Sequence, residues 1–171
     1  MHKLSWLALI VFSLAPYSIT QDAHVTANLV ERTIREKEPS FKLLRRDGSG
    51  FTNVPSDDDH VSLYFKLKGQ EVFVGTTNQK TVDAARFHYS ASISTSIMRP
   101  TYKPTPDGEK LKSLVSEAGF YKNRTSARIE GGRPSTFDVA FRKGTVVIVV
   151  EARKAETAQR IALYLAENLP D

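Results

Sequence analysis

Residues 61–76 read VSLYFKLKGQEVFVGT, and residues 137–150 read FDVAFRKGTVVIVV. In the first run Val61, Leu63, Phe65 and Leu67 alternate with Ser62, Tyr64, Lys66 and Lys68, the period-two pattern of a strand with one buried face. Lys68-Gly69-Gln70 then turns the chain into Glu71 to Thr76, so the whole run is a β-hairpin. The second run repeats the arrangement. Phe137, Val139 and Phe141 alternate, Lys143-Gly144 turns, and Val146 to Val150 is continuously apolar, as in a strand at the centre of a sheet. Aligning the two Lys-Gly turns sets Val72 and Val74 against Val147 and Val149.

Working outward, Leu29, Val30, Thr33 and Ile34 recur at helical spacing until Pro39 stops the helix. Phe41 to Arg46 reads as a strand closing at the turn residues Asp47-Gly48-Ser49-Gly50. Thr81 to Phe87 reads as a short helix with Val82 and Ala85 inside. The serine-rich stretch 90–96 lies in a segment where Tyr89, Ala91, Ile93, Thr95 and Ile97 alternate with serines, which reads as a strand. Pro100, Pro104 and Pro106 make Arg99 to Pro106 a connector, because proline fixes φ and removes a backbone donor. Thr105 can cap the next helix and Pro106 can fill its first turn; Leu111, Leu114, Val115 and Ala118 make its apolar stripe, and Gly119 its stop. Phe120 to Ile129 reads as a strand, Gly131-Gly132-Arg133-Pro134 as a turn, and Arg153 to Asn168 as a closing helix ended by Pro170.

Both halves thus run helix, strand, turn, strand, Lys-Gly turn, strand, helix. The expected fold is α+β: one domain over residues 21–171, a mostly antiparallel sheet of about six strands with helices mainly on one face, and a half boundary at 99–106. Two origins stand for the resemblance between halves, a duplicated α-β-β-β-α unit and convergent hairpin chemistry.

The first twenty residues have a different character. His2 and Lys3 precede an apolar core from Leu4 to Ala15 and then a small, polar stretch, which reads as a secretory signal peptide over residues 1–20, cleaved somewhere in 15–23. A membrane anchor or a buried strand is the alternative, but a spanning helix needs roughly 20 apolar residues, whereas the strong core is only Leu7 to Ala15 with flanks broken by Ser5, Ser13 and Pro16. Nothing later is long and apolar enough to span a bilayer. Cysteine is absent, which excludes disulfides, a thiolate nucleophile and Cys-ligated zinc or iron–sulfur centres; about 150 residues can bury a core without such staples. These features lead to the expectation of an exported chain, periplasmic or extracellular. The formal net charge is +5, with basic residues scattered rather than gathered, so an acidic macromolecular partner outside the cytoplasm is expected and a nucleic acid is not.

Candidate sites are few, and no cofactor motif is present. Asp57, Asp58, Asp59 and His60 combine carboxylates with an imidazole, so Asp57, Asp59 and His60 are the candidate metal ligands or acid/base groups, against the plainer reading of a solvated loop. Asp47-Gly48-Ser49-Gly50 and Gly131-Gly132-Arg133 could form small anion nests but lack the length and following lysine of a phosphate loop. Asn123-Arg124-Thr125 is a formal glycosylation acceptor. Asp138, Glu130 and Glu151 read as acids at strand edges that keep register and solubility. Tyr64, Tyr89, Arg99, Tyr102, Tyr121 and Arg124 could make an aromatic and basic contact face, with half-exposed sheet aromatics as the plainer reading. No Ser-x-x-Lys, Gly-x-Ser-x-Gly or His-Glu-x-x-His setting occurs, so a catalytic residue is not assigned. The function expected from sequence is therefore an extracytoplasmic binding or protein-interaction module, non-enzymatic. The alternative is a small secreted enzyme or ligand carrier with a pocket between sheet and helices.

Overall fold

Two three-stranded meanders meet edge to edge in the computed structural model, which describes residues 23–48, 60–67, 69–94, 100–123 and 136–170. Strands β1 (Lys42–Gly48), β2 (His60–Leu67) and β3 (Gln70–Asn78) form the first meander; β4 (Glu117–Asn123), β5 (Thr136–Lys143) and β6 (Val146–Ala152) form the second. Pairing of β3 with β6 joins them into one antiparallel sheet of order β1-β2-β3-β6-β5-β4. Helices α1 (Ala23–Lys37) and α2 (Val82–Ser94) flank the first meander in the chain, and α3 (Pro106–Leu114) and α4 (Ala155–Asn168) flank the second. The molecule is α+β, built from two α-β-β-β-α units, as the sequence led one to expect.

The relation between the halves differs from the sequence alignment by one residue. Leu67 pairs with Gln70 and Lys143 with Val146, so the hairpins correspond at positions 76 apart rather than 75. Gly69 then stands second in its turn (φ +78°) and Gly144 first in its own (φ +55°), and each takes the left-handed backbone that glycine adopts freely. A one-residue slip in a strand exchanges its two faces. Val72 and Val74 therefore correspond to Ile148 and Val150, which share their face of the sheet, and not to Val147 and Val149, which point the other way. The same register equates Phe65 with Phe141, both fully buried. Val74 pairs directly with its counterpart Val150, so the pseudo-twofold axis passes through that pair.

The front face carries the main core. Val61, Leu63 and Phe65 of β2, Val72 and Val74 of β3, Val139 and Phe141 of β5, and Ile148 and Val150 of β6 are buried beneath Ala27, Val30 and Ile34 of α1 and Ala158, Ile161 and Leu165 of α4. Each such side chain contributes on the order of 1.5–3 kcal/mol of transfer free energy. Helix α3 lies against α4, with Leu111 in the same core. It ends at Leu114, because Val115 is already extended (φ −128°, ψ 159°). Ala118 and Gly119, expected in the helix stripe and at its stop, belong instead to β4, where they pair with Phe141 and Ala140.

Helix α2 breaks the symmetry. It packs on the reverse face over β5 and β6, where Ala85 and Tyr89 meet Ala140 and Val147, with Ile93 and Val149 half-buried beside them. It also corrects two readings at once: the short helix ending at Phe87 and the serine-rich strand after it are one continuous helix as far as Ser94. Ala85, Tyr89 and Ile93 lie four residues apart, a helical spacing that the alternating serines concealed.

The two sheet edges are handled differently. The outer edge of β4 is lined by the proline connector, with Lys122 N–H donating to the Pro100 carbonyl (2.8 Å) and Tyr102 N–H to that of Phe120 (3.3 Å). On the opposite edge, β1 carries an irregularity between Leu43 and Arg45 that breaks its register against β2. Lys143 Nζ, at the β5–β6 turn, donates to the carbonyls of Ala166 (3.0 Å) and Leu169 (2.7 Å) and so satisfies the C-terminal end of α4. Lys143→Met, which keeps the aliphatic stem, is expected to lower stability by about 1–2 kcal/mol, the scale of charge-assisted bonds at a helix C-terminus. Urea unfolding with an unchanged midpoint would refute that role.

Candidate functional site

The antiparallel register lays the reverse face out as rows running across the strands. One row reads His60, Thr77, Val147, Arg142 and Glu117; the next reads Asp47, Ser62, Gly75, Val149, Ala140 and Gly119; the third reads Arg45, Tyr64, Phe73, Glu151, Asp138 and Tyr121. The middle row includes Gly75, Ala140 and Gly119, whose small size leaves room for neighbouring rings, and α2 seats Ala85 and Tyr89 against Ala140 and Val147. The Tyr121 ring folds back over Gly119 so closely that a Cβ there would collide with it.

The first row carries a polar chain. His60 Nδ1 lies 3.0 Å from Thr77 Oγ1, which lies 3.2 Å from His88 Nε2 on α2, while the other ring nitrogen of His60 lies 3.1 Å from Ser62 Oγ. Further along, Arg142 donates to Glu117 Oε2 (2.6 Å) and to the Gly144 carbonyl (2.8 Å). Tyr89 sits near Tyr121, Glu117 and Arg142. Its hydroxyl is pushed above the ordinary phenol range, first by burial and then by the Tyr121 and Glu117 charges, with Arg142 acting in the opposite direction.

The third row begins with the Arg45 guanidinium 4.1 Å from the Tyr64 ring centroid and Tyr64 edge-on to Phe73 at 5.2 Å. It continues with two carboxylates in directly paired positions, Glu151 and Asp138, 1% and 5% exposed. The Thr136 hydroxyl is 3.1 Å from Glu151 Oε1 and 3.5 Å from Asp138 Oδ1, so its one proton is shared between them. These acids are not edge devices, as the sequence had suggested: β5 and β6 are interior strands, and both side chains lie inside the protein.

Of the residues singled out from sequence, Tyr64, Tyr89 and Tyr121 share this reverse face, whereas Tyr102 is on the front, edge-on to Phe120 (5.9 Å) and Phe137 (5.1 Å). Burial raises the Tyr102 hydroxyl as well, against a lowering by the neighbouring Gln159 amide. His60 meets Thr77 and Ser62, and among the described residues no group of three His, Cys, Asp or Glu side chains is placed to hold a metal ion. Asp57, Asp58, Asp59, Arg99, Arg124, Glu130, the Gly131–Pro134 turn and the leader-like residues 1–20 lie outside the described residues. The sequence missed the approach of His60 and His88 to one hydroxyl and the Glu151–Asp138 pairing. The β5–β6 hairpin register held the signal for the second of these.

A sheet of two α-β-β-β-α units, layered on its front face by three helices, defines the structural class. No family model and no curated protein matches the chain. Among solved structures, it is similar to the crystal structure of a GTP binding regulator from Thermotoga maritima, with a TM-score of 0.52 and 11% sequence identity over 87% of this chain and 90% of that one. At that identity the likeness establishes the architecture. The solved protein is described as a GTP binding regulator, a description that does not carry the exported placement expected from the sequence. The secreted or periplasmic setting, the extracytoplasmic module and the partner outside the cytoplasm find no support in that likeness.

Proposed function

We propose that this chain is a non-enzymatic regulatory module of the cytoplasm that acts by binding a GTP-hydrolysing protein. The observation that carries this reading is the match of architecture, across nearly the full length of both chains, to a GTP binding regulator. The reverse face supports it, since its polar side chains are largely engaged with one another: His60 with Thr77 and Ser62, Arg142 with Glu117, Thr136 with Glu151. Helix α2 offers the apolar anchor, with Phe87 77% and Val82 45% exposed. Aromatic side chains such as Phe87 are enriched at protein contacts.

The test is photo-crosslinking of the full chain in cells from a photoreactive residue placed at Phe87, with adducts identified by mass spectrometry. A GTPase adduct whose yield differs between GTP-analogue and GDP loading is expected. An adduct pattern indifferent to the nucleotide, or saturable micromolar binding of fluorescent GTP by the purified chain alone, would overturn the partner reading.

A further inference from the structure

The pseudo-twofold axis makes the outer edge of β1 the counterpart of the outer edge of β4, and among the described residues only the second is covered. Leu63 pairs with Arg46 as Val139 pairs with Phe120, and Val61 with Gly48 as Phe137 with Lys122. In the second half an extended segment of the chain itself lies along the edge, with Thr101 bridged to Tyr121 in antiparallel sense and backbone bonds running from Lys122 to Pro100 and from Tyr102 to Phe120. In the first half no described element takes that place. We propose that the β1 edge is a docking strand for an extended acidic segment of a partner protein, which adds to the sheet there as the proline connector does on β4. This edge lies across the sheet from the strands beneath α2, and the inference does not depend on the partner assigned above.

Charge selects the occupant. Lys42 stands directly opposite Lys66, at the position where the second half sets Glu117 opposite Arg142 and closes an ion pair of 2.6 Å. Two like charges facing each other across adjacent strands cost stability. Both lysines are exposed, and among the described residues neither forms an ion pair. Arg45, next on this side of β1, is 60% exposed and holds Asp47 at 2.8 Å; Glu71 faces Lys66 from β3, on the side away from the edge. The corner therefore presents more cation than carboxylate to anything that approaches β1. An edge guarded by charge alone would need no lysine on β2, which is not an edge strand.

Leu44 adds the apolar element. It falls in the irregularity of β1, with no residue opposite it on β2, and is 51% exposed. A side chain of an added strand would cover it, whereas a guarded edge gains nothing from an exposed leucine. A second copy of this chain does not fit, because two β1 strands side by side would bring Lys42, Arg45 and Arg46 of one against those of the other. An anionic lipid surface would satisfy the lysines and leave the backbone edge unused. An added acidic strand uses the lysines, the backbone and Leu44 together.

The probe is a fluorescein-labelled peptide alternating glutamate with valine over about eight residues, titrated with the full chain at about 50 mM salt and read by fluorescence anisotropy. Saturable binding is expected, weakening severalfold as salt rises to about 200 mM, with none for the lysine and valine counterpart. Lys42→Glu should weaken binding about tenfold and at the same time raise the urea midpoint, since the new carboxylate can pair with Lys66 as Glu117 does with Arg142. N-methylation of every second peptide nitrogen should abolish binding in one phase and spare it in the other, because only one edge of the added strand donates to β1. The proposal is overturned if no saturable binding occurs below about 1 mM peptide, if both N-methylated phases bind alike, or if Lys42→Glu leaves the affinity unchanged. Retention of the chain on phosphatidylserine vesicles through Lys42, in place of peptide binding, would assign the corner to a membrane surface and overturn it as well.

Discussion

Phe141→Ala is expected to lower stability by about 3–5 kcal/mol, and Phe65→Ala by about the same amount. Both rings are fully buried, at equivalent positions of the two meanders, in a single front-face core, with Phe65 also edge-on to Phe41 at 6.0 Å. Truncation removes the transfer free energy of the ring and leaves a cavity that strands fixed by hydrogen bonds on both sides cannot collapse to fill. The two halves share that core and are sewn together by the β3–β6 ladder, so neither substitution should unfold its own half alone. Denaturant unfolding followed by far-ultraviolet circular dichroism and by tyrosine fluorescence should give one coincident transition for each variant. Two separated transitions would mean that the meanders fold as independent units.

Gly108→Ala has the second largest expected effect, and its sign is the informative part. In an exposed helix the change would gain up to about 1 kcal/mol of helix propensity. Here a Cβ would run into Gln159 Oε1 and approach the Pro104 Cβ to 2.8 Å. The Gln159 oxygen cannot simply move aside, because it accepts from the Thr105 backbone N–H (2.7 Å) and hydroxyl (2.8 Å), capping α3 from the neighbouring helix. Overpacking with partial loss of those bonds outweighs the propensity gain, for a net loss of about 1–3 kcal/mol. Gln159→Ala would remove the obstacle together with the bonds. The double variant should therefore be less destabilised than the two single changes added together. A Gly108→Ala protein as stable as the parent would show that α3 and α4 are not locked at this contact.

How much of this was legible depended on whether the signal was local. Val61 to Thr76 and Phe137 to Val150 announce their hairpins because alternation and a glycine turn lie within one short window. The strand count and antiparallel character followed from them. The half-to-half register did not, since two Lys-Gly pairs look alike in sequence while their glycines fill different places in the turn. Tyr89 to Ile93 shows the converse difficulty: in that segment apolar residues satisfy a period of two and a spacing of four at once, and only packing of Tyr89 on Ala140 and Val147 decides between them. Ala118 fitted a helix stripe, but extended backbone at Val115 places it in a strand. The candidate site was the least readable. His60 and His88 lie 28 positions apart, and nothing along the chain says that α2 will cross to the reverse face and bring them to the same hydroxyl. The leader-like start was read from a short apolar run after a basic residue, a local pattern that lies outside the described residues.

Val74 facing Val150 across the pseudo-twofold axis has a consequence for how freely the chain could vary. A half-length polypeptide pairing with a second copy of itself would set this same residue opposite its own image, and every position on either side of it would be answerable to two environments simultaneously. Covalent joining of the halves dissolves that constraint. Gly75 and Glu151 occupy equivalent places one step beyond the axis, yet one lets the backbone approach the Phe73 ring and His60 while the other carries a buried carboxylate beside Asp138. In a symmetric pair of identical chains these two roles would be incompatible; in the fused one each half holds the specialisation the other lacks.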